Sequence, residues 1–127
     1  MLTLDEVFQR VIIGNALDGI ELADQPDFFV INVTESVENP KADFCLTIGV
    51  MRAADEKIRV FAFDLDVLAN KINSALNSFP DQYVLVHCTA GIERSPLVVT
   101  WYLHKYFGMS LSDAFYGVQQ NLRPEAL

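Results

Sequence analysis

The stretch YVLVHCTAGIERSP, residues 83–96, constrains this chain more than any other. It opens with Tyr83–His87, a continuous run of strand length whose pattern is that of a central strand covered on both faces. A short loop with Gly91 at its middle follows. Ser95-Pro96 then signals a helix start, with serine as the N-cap and proline in the first turn. Behind it, Leu97, Val98, Val99, Trp101, Tyr102, Leu103, Tyr106 and Phe107 make that helix apolar nearly all round, so it should be deeply buried, and Gly108 ends it. In open α/β sheets a loop leaving the carboxyl end of a strand is where ligands bind.

The remaining elements fit around this unit. Apolar runs at 11–13 and 28–33, each bounded by turn residues, read as strands, with a short helix over 17–23 between them. Residues 35–43 are polar, contain Asn39-Pro40 and read as loop. Runs at 44–50 and 58–63 read as two further strands. Leu65, Leu68, Ile72, Ala75, Leu76 and Phe79 recur at three- and four-residue steps, the mark of an amphipathic helix stopped by Pro80-Asp81. Ser110 with Asp113 resembles a capping box for a last helix that turns Leu111, Ala114, Phe115, Val118 and Leu122 inward. Strands alternating with helices predict an α/β fold, with a central, mostly parallel sheet of four to five strands flanked by helices.

Composition limits the function classes. The 127 residues suit a single domain over 1–127, and 51% hydrophobic content with 20% charged residues is that of an ordinary globular core. No apolar run approaches the roughly 18 residues that span a bilayer. The net charge of -8 disfavours nucleic acid and anionic lipid as partners. Two cysteines, Cys45 and Cys88, are too few for a disulfide framework, and the start of the chain lacks a secretory layout, so a cytoplasmic setting is expected.

The loop itself carries chemistry. Cys88 and Arg94 stand six positions apart around Gly91. A short loop feeding a helix N-terminus turns several backbone N–H groups towards one point and forms an anion nest. Gly91 permits the curl, and Arg94 can grip two oxygens of a tetrahedral oxyanion. The same dipoles and guanidinium favour Cys88 as thiolate. This is a phosphate cradle with a nucleophile at its floor.

HCTAGIERS resembles the HC-x5-R-S/T loop of protein tyrosine and dual-specificity phosphatases. RVIIGNALDG and FFVINVTES are similar to the opening strands of the dual-specificity group, and WYLHKYFGMSLSDAF with NLRPE to its closing helices. The likeness spans nearly the whole chain, is weakest over 35–63, and implies a small, compact member. By this resemblance Cys88 attacks phosphorus to form a phosphocysteine. Thr89, Ala90, Gly91, Ile92, Glu93 and Arg94 hold the phosphate, and Ser95 donates to the departing thiolate. His87 orients the loop, and Asn32 matches the strand asparagine that braces it. No cofactor or metal is implied.

The resemblance also implies an aspartate acid upstream. Asp64 is the candidate, because it directly follows the strand expected at 58–63, although a helix N-cap belongs there too. Asp66 is the alternative, with Asp55 behind it. Asp64 precedes Cys88 by 24 residues, a shorter interval than relatives keep. Glu93 is a second departure, since relatives usually carry glycine or serine before the arginine; its expected orientation is outward. Cys45 is expected to be a buried thiol, with a protective disulfide to Cys88 as the lesser reading.

The expected activity is hydrolysis of phosphomonoesters: protein phosphotyrosine, alone or together with phosphoserine and phosphothreonine. The other reading is a weak or inactive phosphatase-like module that binds phosphorylated partners. Sulfur transfer on a rhodanese-like loop ranks below both, because that family lacks this arginine-serine-proline helix entry. The partners expected are a phosphorylated protein or a small phosphomonoester, and the sequence leaves oligomeric state open.

Overall fold

The computed structural model describes residues 5–34, 39–46, 55–88 and 94–121. The elements run β1 (Asp5–Phe8), β2 (Val11–Gly14), α1 (Ala16–Leu22), β3 (Phe28–Asn32), β4 (Phe44–Cys45), α2 (Asp55–Ser78), β5 (Tyr83–His87), α3 (Arg94–Phe107) and α4 (Leu111–Gln120). The five strands form one sheet in the order β1-β2-β5-β3-β4. Only the β1–β2 pairing is antiparallel; β2–β5, β5–β3 and β3–β4 are parallel. The architecture is the expected one, with the 83–87 strand at the centre.

Side-chain alternation along the strands sorts the core into two layers. Val84 and Val86 of β5, with Val11, Ile13 and Ile31, face α2, α3 and α4, where they meet Leu65, Leu68, Ile72, Val98, Val99, Tyr102, Ala114 and Val118. Ile12, Val30 and Leu85 face the other way, against Leu22 at the end of α1. A strand apolar on both faces is thus covered on both, as its continuous run required.

Three expectations about elements are corrected. The apolar run at 58–63 is not a strand but lies inside α2, a helix of 24 residues. An alternating stretch such as IRVFAF satisfies a strand period locally, and the long helical pattern continuing behind it overrides that signal. Strand β1 was not anticipated; it is a four-residue hairpin partner at the sheet edge. Leu111 and Phe115 of α4 lie exposed while Ala114 and Val118 are buried, so that helix docks on its small residues. Of the strand expected at 44–50, Phe44 and Cys45 are strand; residues 47–50, like Leu122, lie outside the described residues.

The β1–β2 turn clamps the far end of the sheet to α2. Arg10 takes a left-handed backbone, φ 60°, which costs a non-glycine residue strain. Its guanidinium donates to the carbonyls of Leu76 (3.0 Å), Phe79 (3.2 Å) and Gln82 (2.7 Å). Those carbonyls lie at the C-terminal end of α2, where a cation also meets the negative end of the helix dipole. Arg10→Ala is therefore expected to cost about 1.5–3 kcal/mol, as loss of charge-assisted bonds does. Urea denaturation should show a lower midpoint with an unchanged slope.

Candidate active site

Four strand ends stand level along one edge of the sheet. Gly14 of β2, His87 of β5, Asn32 of β3 and Cys45 of β4 are successive register partners. The ladder continues one residue further, with Val33 N donating to His87 O (3.0 Å) and Leu46 N to Asn32 O (3.0 Å). The chain leaving β5 therefore starts from a point fixed on both sides. Alternation sends His87 to the α1 side of the sheet and returns Cys88 to the core beneath α2 and α3.

His87 is fully buried, at 0% exposure. Its ring lies against Gly19 of α1 so closely that a Cβ there would clash with the ring Cδ2. Nε2 meets Asn39 Nδ2 at 3.1 Å, and Nδ1 points to the Cys88 carbonyl at 3.4 Å. Burial lowers the His87 pKa below the ordinary value, against smaller opposing effects of the Cys88 carbonyl and of Asp18. Asp18 is itself buried and locks the start of α1. Its backbone N–H donates to Asn15 Oδ1 (2.9 Å), while its carboxylate accepts from Asn15 N (3.1 Å), a reciprocal capping box.

Cys88 is buried, at 3% exposure, at the carboxyl end of β5, and Arg94 is the first residue of α3. Together they bracket residues 89–93. The expected phosphate-binding residues Thr89, Ala90, Gly91, Ile92 and Glu93 lie outside the described residues. Ser95 is not the N-cap expected of it. It is the second residue of α3, fully buried, and its hydroxyl has no hydrogen-bond partner among the described residues. Asn32 is buried beside His87, and its Oδ1 accepts from Thr34 N (3.0 Å), which fixes the exit from β3.

The candidate acids are placed differently from expectation. Asp64 does not follow a strand; it lies within α2, with nine helical residues before it. Asp66 accepts a bond from Trp101 Nε1 (2.7 Å) and pairs with Lys105 (3.3 Å), both on α3. The Trp101 bond, followed by Lys105 and against the smaller effect of burial, lowers the Asp66 pKa.

Cys45 is exposed rather than in the core. It sits two strands from His87 in the edge row, about 10 Å at the usual strand spacing. A disulfide needs Cα atoms within about 7 Å. The row geometry thus argues against the protective Cys45–Cys88 bridge.

Sequence reasoning passed over Asn39, Asp18 and Gly19. The Asn-x-x-Asp spacing at 15 and 18 was a visible capping signal. Nothing local marked Asn39, whose contact is with a residue 48 positions away. Among the described residues no three His, Cys, Asp or Glu side chains gather as a metal site requires, and no helix is long and apolar enough to cross a membrane.

Comparison with known proteins agrees with this geometry. The family model "Dual specificity phosphatase, catalytic domain" matches residues 15–125. Tyrosine-protein phosphatase MSG5 of Saccharomyces cerevisiae is 34% identical over 64 residues, which cover 48% of this chain and 13% of that protein. Human DUSP28 superposes with a TM-score of 0.73 at 23% identity, over 98% of this chain and 87% of that one. A mouse putative dual specificity phosphatase complexed with zinc tungstate gives 0.75 at 24% identity, over 98% and 80%. The human tyrosine phosphatase-like serine/threonine/tyrosine-interacting protein gives 0.70 at 21%, over 95% and 87%. These structural likenesses describe the fold.

The buried histidine sets an acid limit on stability. With its folded pKa below its unfolded one, His87 takes up a proton in the unfolded chain first as pH falls. Its contribution is complete above about pH 6.5 and is lost as pH drops from there towards the lower folded value. His87→Gln should flatten the fall in unfolding free energy between about pH 6.5 and 5, measured by urea titration at successive pH values.

Proposed function

Because the chain belongs to the dual-specificity phosphatase catalytic-domain family, we propose that it hydrolyses phosphomonoesters through a phosphocysteine formed on Cys88. The observation that carries this reading is the edge row ending in His87-Cys88, with Arg94 opening a buried helix five residues beyond the cysteine's loop entrance at Thr89. Such a helix start directs backbone N–H groups and a positive dipole end at the loop before it.

In the first step the Cys88 thiolate forms a bond to phosphorus as the bond to the leaving oxygen breaks, and an acid protonates that oxygen. Arg94 and the loop amides of Thr89, Ala90, Gly91, Ile92 and Glu93 neutralise the charge on the transferring group. Water then attacks phosphorus and Cys88 leaves as thiolate. The Ser95 hydroxyl, buried and without a partner among the described residues, is suited to donate to that thiolate.

The acid is assigned to Asp55 in preference to Asp64. Asp64 lies in mid-helix and Asp66 is held by Trp101 and Lys105. Asp55 precedes Cys88 by 33 residues, removing the short interval that made Asp64 a departure. The substrates proposed are phosphotyrosine proteins, with phosphoserine and phosphothreonine to be tested alongside. Glu93 and the net charge of -8 disfavour polyanionic substrates.

The catalytic reading is tested against the binding-module reading with p-nitrophenyl phosphate, phenyl phosphate and phosphopeptides. Cys88→Ser should abolish turnover while retaining tungstate binding by calorimetry. Asp55→Ala should lower kcat about 100-fold on phenyl phosphate and far less on p-nitrophenyl phosphate, whose leaving group needs no proton. The same selective loss in Asp64→Ala alone would move the acid back to Asp64. Wild-type protein that binds a phosphopeptide but hydrolyses none of these esters would leave the binding module standing.

A further inference from the structure

A second side chain is built into the floor of this site from a loop that carries none of the motif. Residues 39–43 form a turn, closed by Ala42 N donating to Asn39 O (3.1 Å). The turn is fastened to β3 twice through Asp43: its N–H donates to Val30 O (2.8 Å), and its carboxylate accepts from Val30 N (2.8 Å). Lys41 pairs with Asp24 just beyond α1 (2.9 Å). Pro40 restricts the preceding residue to extended backbone. Asn39 is thereby presented inward, buried at 5% exposure, with its amide on His87 Nε2.

Donor and acceptor counting decides what this contact does. The Cys88 carbonyl only accepts, so the Nδ1 facing it carries the proton. A neutral imidazole then has a lone pair on Nε2, and the Asn39 NH2 supplies the donor it needs. Turned the other way, the Asn39 oxygen would demand a proton on both ring nitrogens, an imidazolium at a position with no exposure to water. Among the described residues, Asp18 and Gly19 of α1, Asn39 of the turn and the Cys88 carbonyl face the ring, with Gly14 and Asn32 its register partners on β2 and β3. Asp18 is the charged one among these.

We propose that Asn39 is a positioning residue. Its amide donates to His87 Nε2, which fixes the ring as the neutral Nδ1–H tautomer and aims that proton at the carbonyl of Cys88. It acts on the nucleophile through His87 and touches no substrate. The consequence for turnover rests on the phosphocysteine reading above; the tautomer does not. Removal of the donor leaves a buried lone pair unmet. The ring then answers by carrying its proton on Nε2 or by taking up a second, and in the first case the Cys88 carbonyl loses its donor.

The test is ring-nitrogen NMR on the full 15N-labelled chain, with His104→Gln used to assign the only other histidine. Wild-type His87 is expected to be protonated on Nδ1 and bare on Nε2 at neutral pH. Asn39→Asp, which keeps the shape and offers only acceptors, should leave both nitrogens protonated at neutral pH. Asn39→Ala should lose the single Nδ1–H pattern, shift the pH profile of Cys88 alkylation by iodoacetamide, and lower kcat about tenfold with little change in KM. A wild-type ring protonated on Nε2 would overturn the proposal. So would two variants that lose stability while their His87 nitrogens stay as in wild type. If Asn39→Ala fails to fold, Asn39→Asp and the wild type still decide. The nitrogen signals and the alkylation profile need no turnover, so a chain that hydrolyses nothing would count against the phosphatase reading and leave this one judged separately.

Discussion

Everything at the site depends on how β5 is held. It is hydrogen-bonded along both edges, to β2 on one side and β3 on the other, and covered on both faces. A strand with four constrained sides has no soft direction, so the two residues at its end emerge at fixed places. Alternation then divides their work. His87 turns towards α1, where it meets polar groups, and Cys88 turns back towards the helices on the opposite face. The pleat of the sheet separates the group proposed to orient from the group proposed to react.

The unit around β5 was legible because its signals agree across levels. Four apolar residues without a break, a glycine-centred loop and a helix apolar nearly all round allow few arrangements. The capping residue Ser110 was equally plain, and its side chain does accept from Asp113 N (3.1 Å). Where reading failed, the deciding partner was distant. The 58–63 stretch alternates well enough for a strand, and only its continuity with the helix behind it shows otherwise. Ser95 looks like a cap by residue type, yet it is a buried residue inside α3. Asn39 reads as a turn residue beside proline, and its role as a contact of His87 appears only when the turn is folded onto β3.

The candidate acid shows how a change in one element alters a functional proposal. Asp64 was attractive because a strand was expected to end before it, and that stretch lies instead inside α2. Asp66, one turn of reasoning away, is instead part of the α2–α3 seam. Trp101, Lys105 and the Tyr106–Asn70 contact run along that seam, and they tie two core helices together across their partly exposed edge. A carboxylate in such a seam helps hold the two helices together.

The contact between Gly19 and the His87 ring carries a consequence for how this molecule can change. The imidazole occupies the volume that any side chain at 19 would need. Drift at either position is therefore confined by the other. A methyl group at 19 becomes tolerable only with a smaller residue at 87, and that exchange gives up the ring proton aimed at the Cys88 carbonyl. Helix α1 is in this sense keyed to the histidine. Its first turn, closed by Asn15 and Asp18, keeps that key in register with a strand it never hydrogen-bonds along.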